Sequence, residues 1–329
     1  REHVTFPELN TSENIIICSD EAHRTQYGTL GLALNIALPN APKIGFTGTP
    51  LIKSQKTTHE FGTYIDTYTI EQSQADGSTV PILYEGREVK TRITKDSLDS
   101  LFDEYFPNYS EEEKAEIKRK HGKELAVLEA PKRIERICLD IKKHYLEKIH
   151  PNGFKAMIVT PSRKSATIYK QCLDQIGAPE SQVIISGDHN DPPEISQHTD
   201  SEKHKKYQQD FITINKSPFI LIVKDMLITG FNAPNCQVMY LDRTLRDHTL
   251  LQAIARVNRP YTNKPCGFIV DYYGISDFLT EALEMFSVED MKGALTDIKQ
   301  EAAKLKFFHA NTVKYFKNTN LNDVDACVR

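Results

Sequence analysis

With 329 residues, 39% of them hydrophobic and 26% charged, the chain has the composition of a globular protein of two domains, and neither a disordered nor a membrane-embedded chain is expected. The net charge of -4 provides no overall attraction for nucleic acid, so any such binding would depend on local patches. The sequence has no apolar run of about 20 residues and does not open with a signal peptide, so we expect a cytoplasmic protein without membrane contact.

Six cysteines are scattered along the chain without a C-x-x-C pair. Several of them lie in apolar runs, which predicts reduced and buried thiols. Because a strand pattern follows Arg1 almost at once, we expect a piece of a longer polypeptide.

The first predicted strand is the apolar run Ile15–Cys18, which is too short for a helix and rich in β-branched residues. This pattern predicts a strand buried on both faces of a parallel sheet. Asp20 and Glu21 follow at its carboxyl end, where open α/β sheets bind ligands. Two adjacent carboxylates repel each other, and a hydrated Mg²⁺ with substrate phosphates would offset that repulsion. The alternative is a solvated turn that caps a helix starting near Arg24.

The next elements are a helix at Tyr27–Leu38 and a strand at Pro42–Thr47. Strand, helix and strand in this order are the unit of a parallel sheet. Thr47, Gly48 and Thr49 would then lie at the same edge as the two acids, where hydroxyl groups can relay hydrogen bonds. A simple turn is the alternative.

Residues 57–95 are rich in Thr, Tyr, Ile and Val, and Asp76-Gly77 is a hairpin signal, which predicts short antiparallel strands inserted in a first domain of residues 1–130. A second region at 131–285 alternates strands and helices, as in a doubly wound parallel sheet. Its predicted strands are 155–160, 182–186, 219–223, 238–242 and 267–271, and its helices are 132–149, 162–176 and 203–211. Residues 286–329 are predicted to be helical.

The segment His248–Pro260 separates into two faces at 100° per residue. The apolar face consists of Leu250, Ala253, Ile254 and Val257, and the opposite face of Gln252, Arg256 and Arg259. Arginine suits phosphate because its planar guanidinium donates two parallel hydrogen bonds and keeps its charge. An ordinary surface helix is the alternative. The acids in the first region favour a phosphate site in the cleft between the two domains.

Four short motifs resemble those of superfamily 2 helicases and translocases, and they occur in the expected order. Asp20–His23 resembles motif II, Thr47–Pro50 motif III, Leu227–Pro234 motif V and Gln252–Arg259 motif VI. The flanking residues, including Tyr68–Gly77, are similar to the motor of the restriction subunit of type I restriction-modification enzymes.

The resemblance implies an α/β fold of two tandem RecA-like parallel-sheet domains, the first incomplete, that acts as an ATP- and Mg²⁺-dependent translocase on double-stranded DNA. Methylation and specificity subunits would be its partners. The chain has no G-x-x-x-x-G-K-[ST] motif, so the phosphate-binding loop and a nuclease domain are expected before Arg1, and the fragment is expected to hydrolyse little ATP. The alternatives are another superfamily 2 DNA or RNA motor, or a catalytically inactive interaction module.

The resemblance also implies roles for the residues at the nucleotide. Asp20 would hold Mg²⁺, and Glu21 would position or deprotonate the attacking water. Arg259, with Arg256 as second candidate, would be the arginine finger, and Gln252 would contact the γ-phosphate or the water.

Other motif residues would link nucleotide and DNA: His23 with Thr47, Gly48 and Thr49 would couple the two domains, and Thr229, Gly230 and Asn232 would sense the nucleotide and touch the DNA backbone. The family usually has Asp where Asn232 stands, which weakens any charge-dependent role there. Thr160 and Arg163, just after a strand, are further candidates for contact with the DNA backbone.

Overall fold

The computed structural model describes residues 6–20, 22, 29–47, 61–87, 98–107, 109–110, 112–114, 123–245, 247–275, 296–297 and 305. These residues form two sheets, one of two strands and one of seven. All strand pairs in both sheets are parallel. The predicted α/β class with parallel sheets is therefore confirmed.

The small sheet pairs β1 (Ile17–Ser19) with β2 (Lys43–Gly45), and α1 (Thr29–Ala37) lies between them in the chain. The predicted strand–helix–strand unit is present. The predicted burial of the first strand on both faces is wrong, because Ile16 and Cys18 are exposed. Side chains alternate along a strand, and the face that carries these two residues is open to solvent.

The large sheet has the strand order β5-β6-β4-β7-β8-β3-β9. Its strands are β3 (Ile82–Gly86), β4 (Lys155–Val159), β5 (Ser181–Ile184), β6 (Ile220–Val223), β7 (Cys236–Leu241), β8 (Gly267–Asp271) and β9 (Thr296–Asp297). The central strands β4, β6 and β7 are buried along their whole length. Parallel sheets with helices on both faces have strands of this apolar kind.

Helices cover both faces of the large sheet. Those described are α2 (Ile70–Ala75), α3 (Leu98–Tyr105), α4 (Lys123–Leu128), α5 (Pro131–His144), α6 (Arg163–Gln175), α7 (Pro193–Ser196), α8 (Ser201–Phe211) and α9 (Asp247–Ile254). A π-helical turn (Tyr145–Ile149) and a 3-10 turn (His150–Asn152) continue α5. One hydrophobic core holds α5 and α6 against the sheet, and a second core on the other face holds α8 and α9.

The antiparallel insertion predicted for residues 57–95 is wrong for the described residues 61–87. The strand β3 is parallel and pairs with β8 of the large sheet. Asp76 caps α2 at its carboxyl end and Gly77 has φ of 70°, so this pair ends a helix instead of forming a hairpin. The pair does form a turn, but the partner strand of β3 is β8, which begins only at Gly267.

The helices that precede residue 130 also pack with the large sheet. The guanidinium of Arg136 in α5 donates to the carboxylate of Glu104 in α3 at 2.9 Å. Leu128 of α4 lies in the same hydrophobic core as α9. These contacts cross residue 130, and the boundary at that position stays a prediction. The two residues of β9 form a strand within the segment predicted to be helical, and most of that segment lies outside the described residues.

A buried ion pair attaches α5 to the sheet. The guanidinium of Arg133 donates to both carboxylate oxygens of Asp242, at 2.9 and 2.5 Å, and the Tyr169 hydroxyl donates to the same carboxylate at 2.8 Å. The two charged side chains are 0% and 1% exposed. Burial of charge is tolerated here because each charge finds its partner and its hydrogen bonds.

We expect Arg133→Met to lower the free energy of unfolding by about 3–5 kcal/mol, because Asp242 is then buried without its cation. The double variant Arg133→Met/Asp242→Leu should recover most of the loss, since it leaves no unpaired charge. Urea unfolding of the three proteins measures both effects. A loss below about 1 kcal/mol in the single variant would show that the pair does not hold α5 in place.

His144 is a neutral histidine inside the fold. Its Nδ1 lies 2.8 Å from the Tyr240 hydroxyl, its Nε2 has no hydrogen-bond partner among the described residues, and its side chain is 4% exposed. Burial, with smaller contributions from the Arg87 and Lys148 charges, lowers the pKa of His144 to about 4. Protonation of this ring therefore favours the unfolded chain.

The stability contributed by neutral His144 is complete above pH 6.5 and is lost as the pH falls towards about 4, because the unfolded chain binds the proton first. We expect His144→Gln to flatten this part of the stability profile, since glutamine does not titrate and can still bond Tyr240. Melting temperatures of both proteins between pH 7 and pH 4.5 measure the difference. Parallel curves for the two proteins would contradict the assignment.

Candidate functional site

The carboxyl ends of β1 and β2 lie side by side. The amide of Phe46 donates to the carbonyl of Ser19 at 2.8 Å, and the amide of Ala22 donates to the carbonyl of Phe46 at 3.0 Å. Asp20 is exposed at this edge, and Thr47 follows Phe46 directly. The structure therefore brings the ends of motifs II and III together as predicted. Glu21, His23, Gly48 and Thr49 lie outside the described residues.

Gly45 permits this close approach. A Cβ atom at this position would lie 2.9 Å from the Cβ of Ala22 and 3.0 Å from the ring of Phe61. Contacts that short essentially do not occur between real side chains, so any larger residue would push the two motifs apart. The sequence contained this signal as a glycine inside a strand, which marks a close approach of backbones.

The apolar stripe of the second site segment is buried as predicted: Leu250, Ala253, Ile254 and Val257 all lie in the core. The helix itself is shorter than predicted. It ends at Ile254, and the amides of Arg256 and Val257 then donate to carbonyls three residues back. The expected row of arginines along a helix is therefore wrong, because Arg256 lies on a turn and Arg259 lies beyond it.

The two arginines have different surroundings. Arg256 is half-buried, and it donates to the carbonyls of Phe231 at 2.8 Å and of Gln252 at 3.2 Å. Burial first, and the charge of Arg259 second, lower the pKa of Arg256. The side chain of Arg259 is exposed. An anion from outside can thus reach Arg259, whereas Arg256 is already engaged by its own chain.

Backbone contacts fix the chain just before Arg259. The amide of Val80 donates to the carbonyl of Asn258 at 2.7 Å. A Cβ atom at Gly267 would lie 2.4 Å from the carbonyl oxygen of Val257, so only glycine fits at the start of β8. Sequence reasoning missed Val80 and Gly267, although a glycine at the head of an apolar strand was a signal for close packing.

The connection between β6 and β7 exposes the three motif V residues that were predicted to contact nucleotide and DNA. Thr229, Gly230 and Asn232 are all exposed on it. Leu227 and Gly230 have φ of 66° and 77°. For a leucine this backbone conformation is strained, and such strain is found where surrounding structure imposes a loop shape. The loop therefore presents its polar residues in a defined conformation.

One of the two predicted DNA contacts after β4 is not compatible with the structure. Thr160 is 0% exposed, and its hydroxyl lies within hydrogen-bond distance of the carbonyls of Ser162 and Val223, at 3.0 and 3.1 Å. Its hydroxyl is used inside the protein, so the predicted contact through Thr160 is wrong. Arg163 is partly exposed and pairs with Asp191 at 2.5 Å.

No described helix is long and apolar enough to cross a membrane. No cluster of three or more described His, Cys, Asp or Glu side chains could hold a metal ion. Asp20 fits a hydrated Mg²⁺, which takes one or two protein carboxylates and completes its shell with water and phosphate oxygens.

Two family models match the chain. Residues 1–115 match the SWI2/SNF2 ATPase family, and residues 181–274 match domain 3 of the type I restriction enzyme subunit R. The putative type I restriction enzyme MjaIXP endonuclease subunit of Methanocaldococcus jannaschii is 37% identical over 324 residues, which cover 97% of this chain and 31% of the relative. The type I restriction enzyme HindI endonuclease subunit of Haemophilus influenzae is 35% identical over an alignment of 332 residues, which covers 93% of this chain and 31% of the relative. The chain thus spans about a third of the length of these relatives.

Solved structures agree on the fold. A fragment of a putative HsdR subunit of a type I restriction enzyme from Vibrio vulnificus YJ016 superposes with a TM-score of 0.56 and 18% identity, over 80% of this chain and 44% of that one. The ATP-dependent type ISP restriction-modification enzyme LlaBIII, bound to DNA, superposes with a TM-score of 0.50 and 12% identity, over 86% of this chain and 20% of that one. The predicted resemblance is confirmed: this chain is a relative of the endonuclease subunits of type I restriction enzymes, with a SWI2/SNF2 ATPase region followed by an R-subunit domain 3 region.

Proposed function

We propose that this chain is part of the ATP-dependent double-stranded DNA translocase of a type I restriction endonuclease. Such a translocase couples ATP hydrolysis to DNA movement before cleavage. One observation supports the proposal above the others. Arg259 is exposed while the backbone just before it is fixed at Val257 and Asn258, which is the arrangement needed to present a cation to a phosphate.

In this proposal the reaction is shared between the two regions. Asp20 would hold a Mg²⁺ ion, which would supply positive charge to offset that of the phosphates. Glu21 positions the attacking water and takes its proton, and Gln252 contacts the water or the γ-phosphate. Arg259 donates hydrogen bonds to the γ-phosphate as negative charge develops on it. His23, Thr47, Gly48 and Thr49 link this site to the second region.

The DNA contacts in this proposal come from exposed residues on a connection and a helix that adjoin the large sheet. Thr229, Gly230 and Asn232 on the β6–β7 connection, together with Arg163, are exposed or partly exposed. They contact the phosphate backbone, because a translocase must be indifferent to sequence. Methylation and specificity subunits complete the complex and supply recognition of the DNA site.

A second candidate is a chromatin-type remodeller or another superfamily 2 motor, and the SWI2/SNF2 match over residues 1–115 favours it over an inactive interaction module. The R-subunit match over residues 181–274 favours the restriction motor. ATPase stimulation by duplex DNA and by duplex RNA separates the DNA motors from an RNA helicase.

Arg259→Ala in the complete protein is expected to lower DNA-stimulated ATPase by about 10³-fold or more, because an arginine finger contributes this much to the rate. The fold should survive, since the side chain is exposed. Arg136→Ala is the matched control: Arg136 is an exposed arginine on α5 that pairs with Glu104, away from the motifs. Turnover within twofold of the wild type in Arg259→Ala would refute the finger assignment.

The 329-residue chain by itself is expected to bind ATP weakly, because it contains no phosphate-binding G-x-x-x-x-G-K-[ST] loop. Titration with a fluorescent ATP analogue measures this, with the complete protein as the positive control. Saturable binding of the chain at micromolar concentration would contradict the prediction.

A further inference from the structure

Two cationic side chains join the segment after α9 to the connection before β7. Arg256 donates to the carbonyl of Phe231 at 2.8 Å. Lys264 donates to the carbonyls of Pro234 at 2.9 Å and of Cys236 at 2.7 Å. The acceptors lie in one stretch, residues 231–236, and the donors are the first and last residues of a second stretch, 256–264. The two stretches are therefore tied together at both ends.

The Lys264 bridge is buried. The side chain is 5% exposed, and burial lowers the pKa of Lys264 to about 8. An ammonium group out of water is tolerated when carbonyl oxygens replace its hydration, and these carbonyls in turn need a donor. The side-chain amide of Gln237 donates to the carbonyl of Cys266 at 3.2 Å and adds a link just beyond the two stretches.

The bridged stretches carry different parts of the proposed machinery. The first stretch contains Asn232 and directly follows Thr229 and Gly230, and these three residues are the proposed contacts to DNA. The second includes Arg259, the proposed finger. If the joint moves as one body, a shift of the loop on DNA would reach the backbone that holds Arg259.

We propose that Lys264, which lies outside the four motifs, is a positioning residue that couples DNA contact at the β6–β7 connection to the placement of Arg259 at the nucleotide. This inference rests on the proposed function. Arg256 makes the corresponding bridge at the other end of the joint, so its role is to position the finger rather than to be one.

Lys264→Met in the complete R subunit, assembled with its partner subunits, tests the inference. Methionine keeps most of the apolar stem but donates no hydrogen bond. The kcat of ATP hydrolysis at saturating duplex DNA is expected to fall at least tenfold, while KM for ATP stays within twofold. Amide hydrogen exchange of residues 229–235 should accelerate, because the joint has lost one end.

Lys155→Met is the matched control for loss of stability. Lys155 is 0% exposed, and burial lowers its pKa to about 8 as well. Its ammonium donates to the carbonyls of Asp210, Lys216 and Pro218, at 3.0, 2.6 and 3.1 Å, none of which belongs to the bridged stretches. This variant is expected to melt at a lower temperature but to keep its DNA-stimulated kcat within twofold.

The outcomes separate the inference from the function on which it rests. If Lys264→Met and Lys155→Met retain the same kcat while Arg259→Ala is inactive, the coupling is refuted and the motor stands. If Arg259→Ala stays active, the proposed function fails. Should Lys264→Met not assemble, Lys264→Gln, which keeps one donor, is expected to show an intermediate kcat, and a wild-type kcat in that variant would overturn the inference.

Discussion

The contact between the carbonyl of Val257 and the backbone of Gly267 is the constraint on which the candidate site depends. It leaves no room for a Cβ atom, and together with the Val80 to Asn258 hydrogen bond it fixes the chain where the turn after α9 ends. Arg259 leaves this fixed backbone directly. A cation that must meet a developing charge acts best when its backbone needs no reorganisation, and that is what the contact provides.

Buried cations are used repeatedly to attach connections to the large sheet. Arg133 holds α5 through Asp242, whereas Lys155 and Lys264 hold loops at the amino-terminal edge through carbonyl oxygens. Each charge is costly to bury, so each specifies its own set of partners closely. The consequence is that connections without regular structure are attached to the large sheet at defined points.

Much of this architecture follows from local patterns in the sequence. The strand β8 and the buried stripe of α9 have the predicted residues, because apolar periodicity reports burial directly. The end of α9 at Ile254 was not predicted. Pro260 disfavours helix only in the residue before it, whereas the helix ends earlier, where tertiary contacts at Val257 and Asn258 hold the chain. The parallel pairing of β3 and the role of Lys264 were missed for the same reason, since a hydrogen bond to a distant carbonyl leaves no local signal.

Asp20 and Arg259 are proposed to act on one nucleotide, and a cryo-electron microscopy structure of the complete protein on DNA with Mg²⁺, ADP and aluminium fluoride would show whether they do. We expect the Arg259 guanidinium at about 3 Å from the fluoride group that occupies the γ-phosphate position, and Asp20 beside the Mg²⁺. A structure in which Arg259 points into solvent while another cation contacts that group would contradict it.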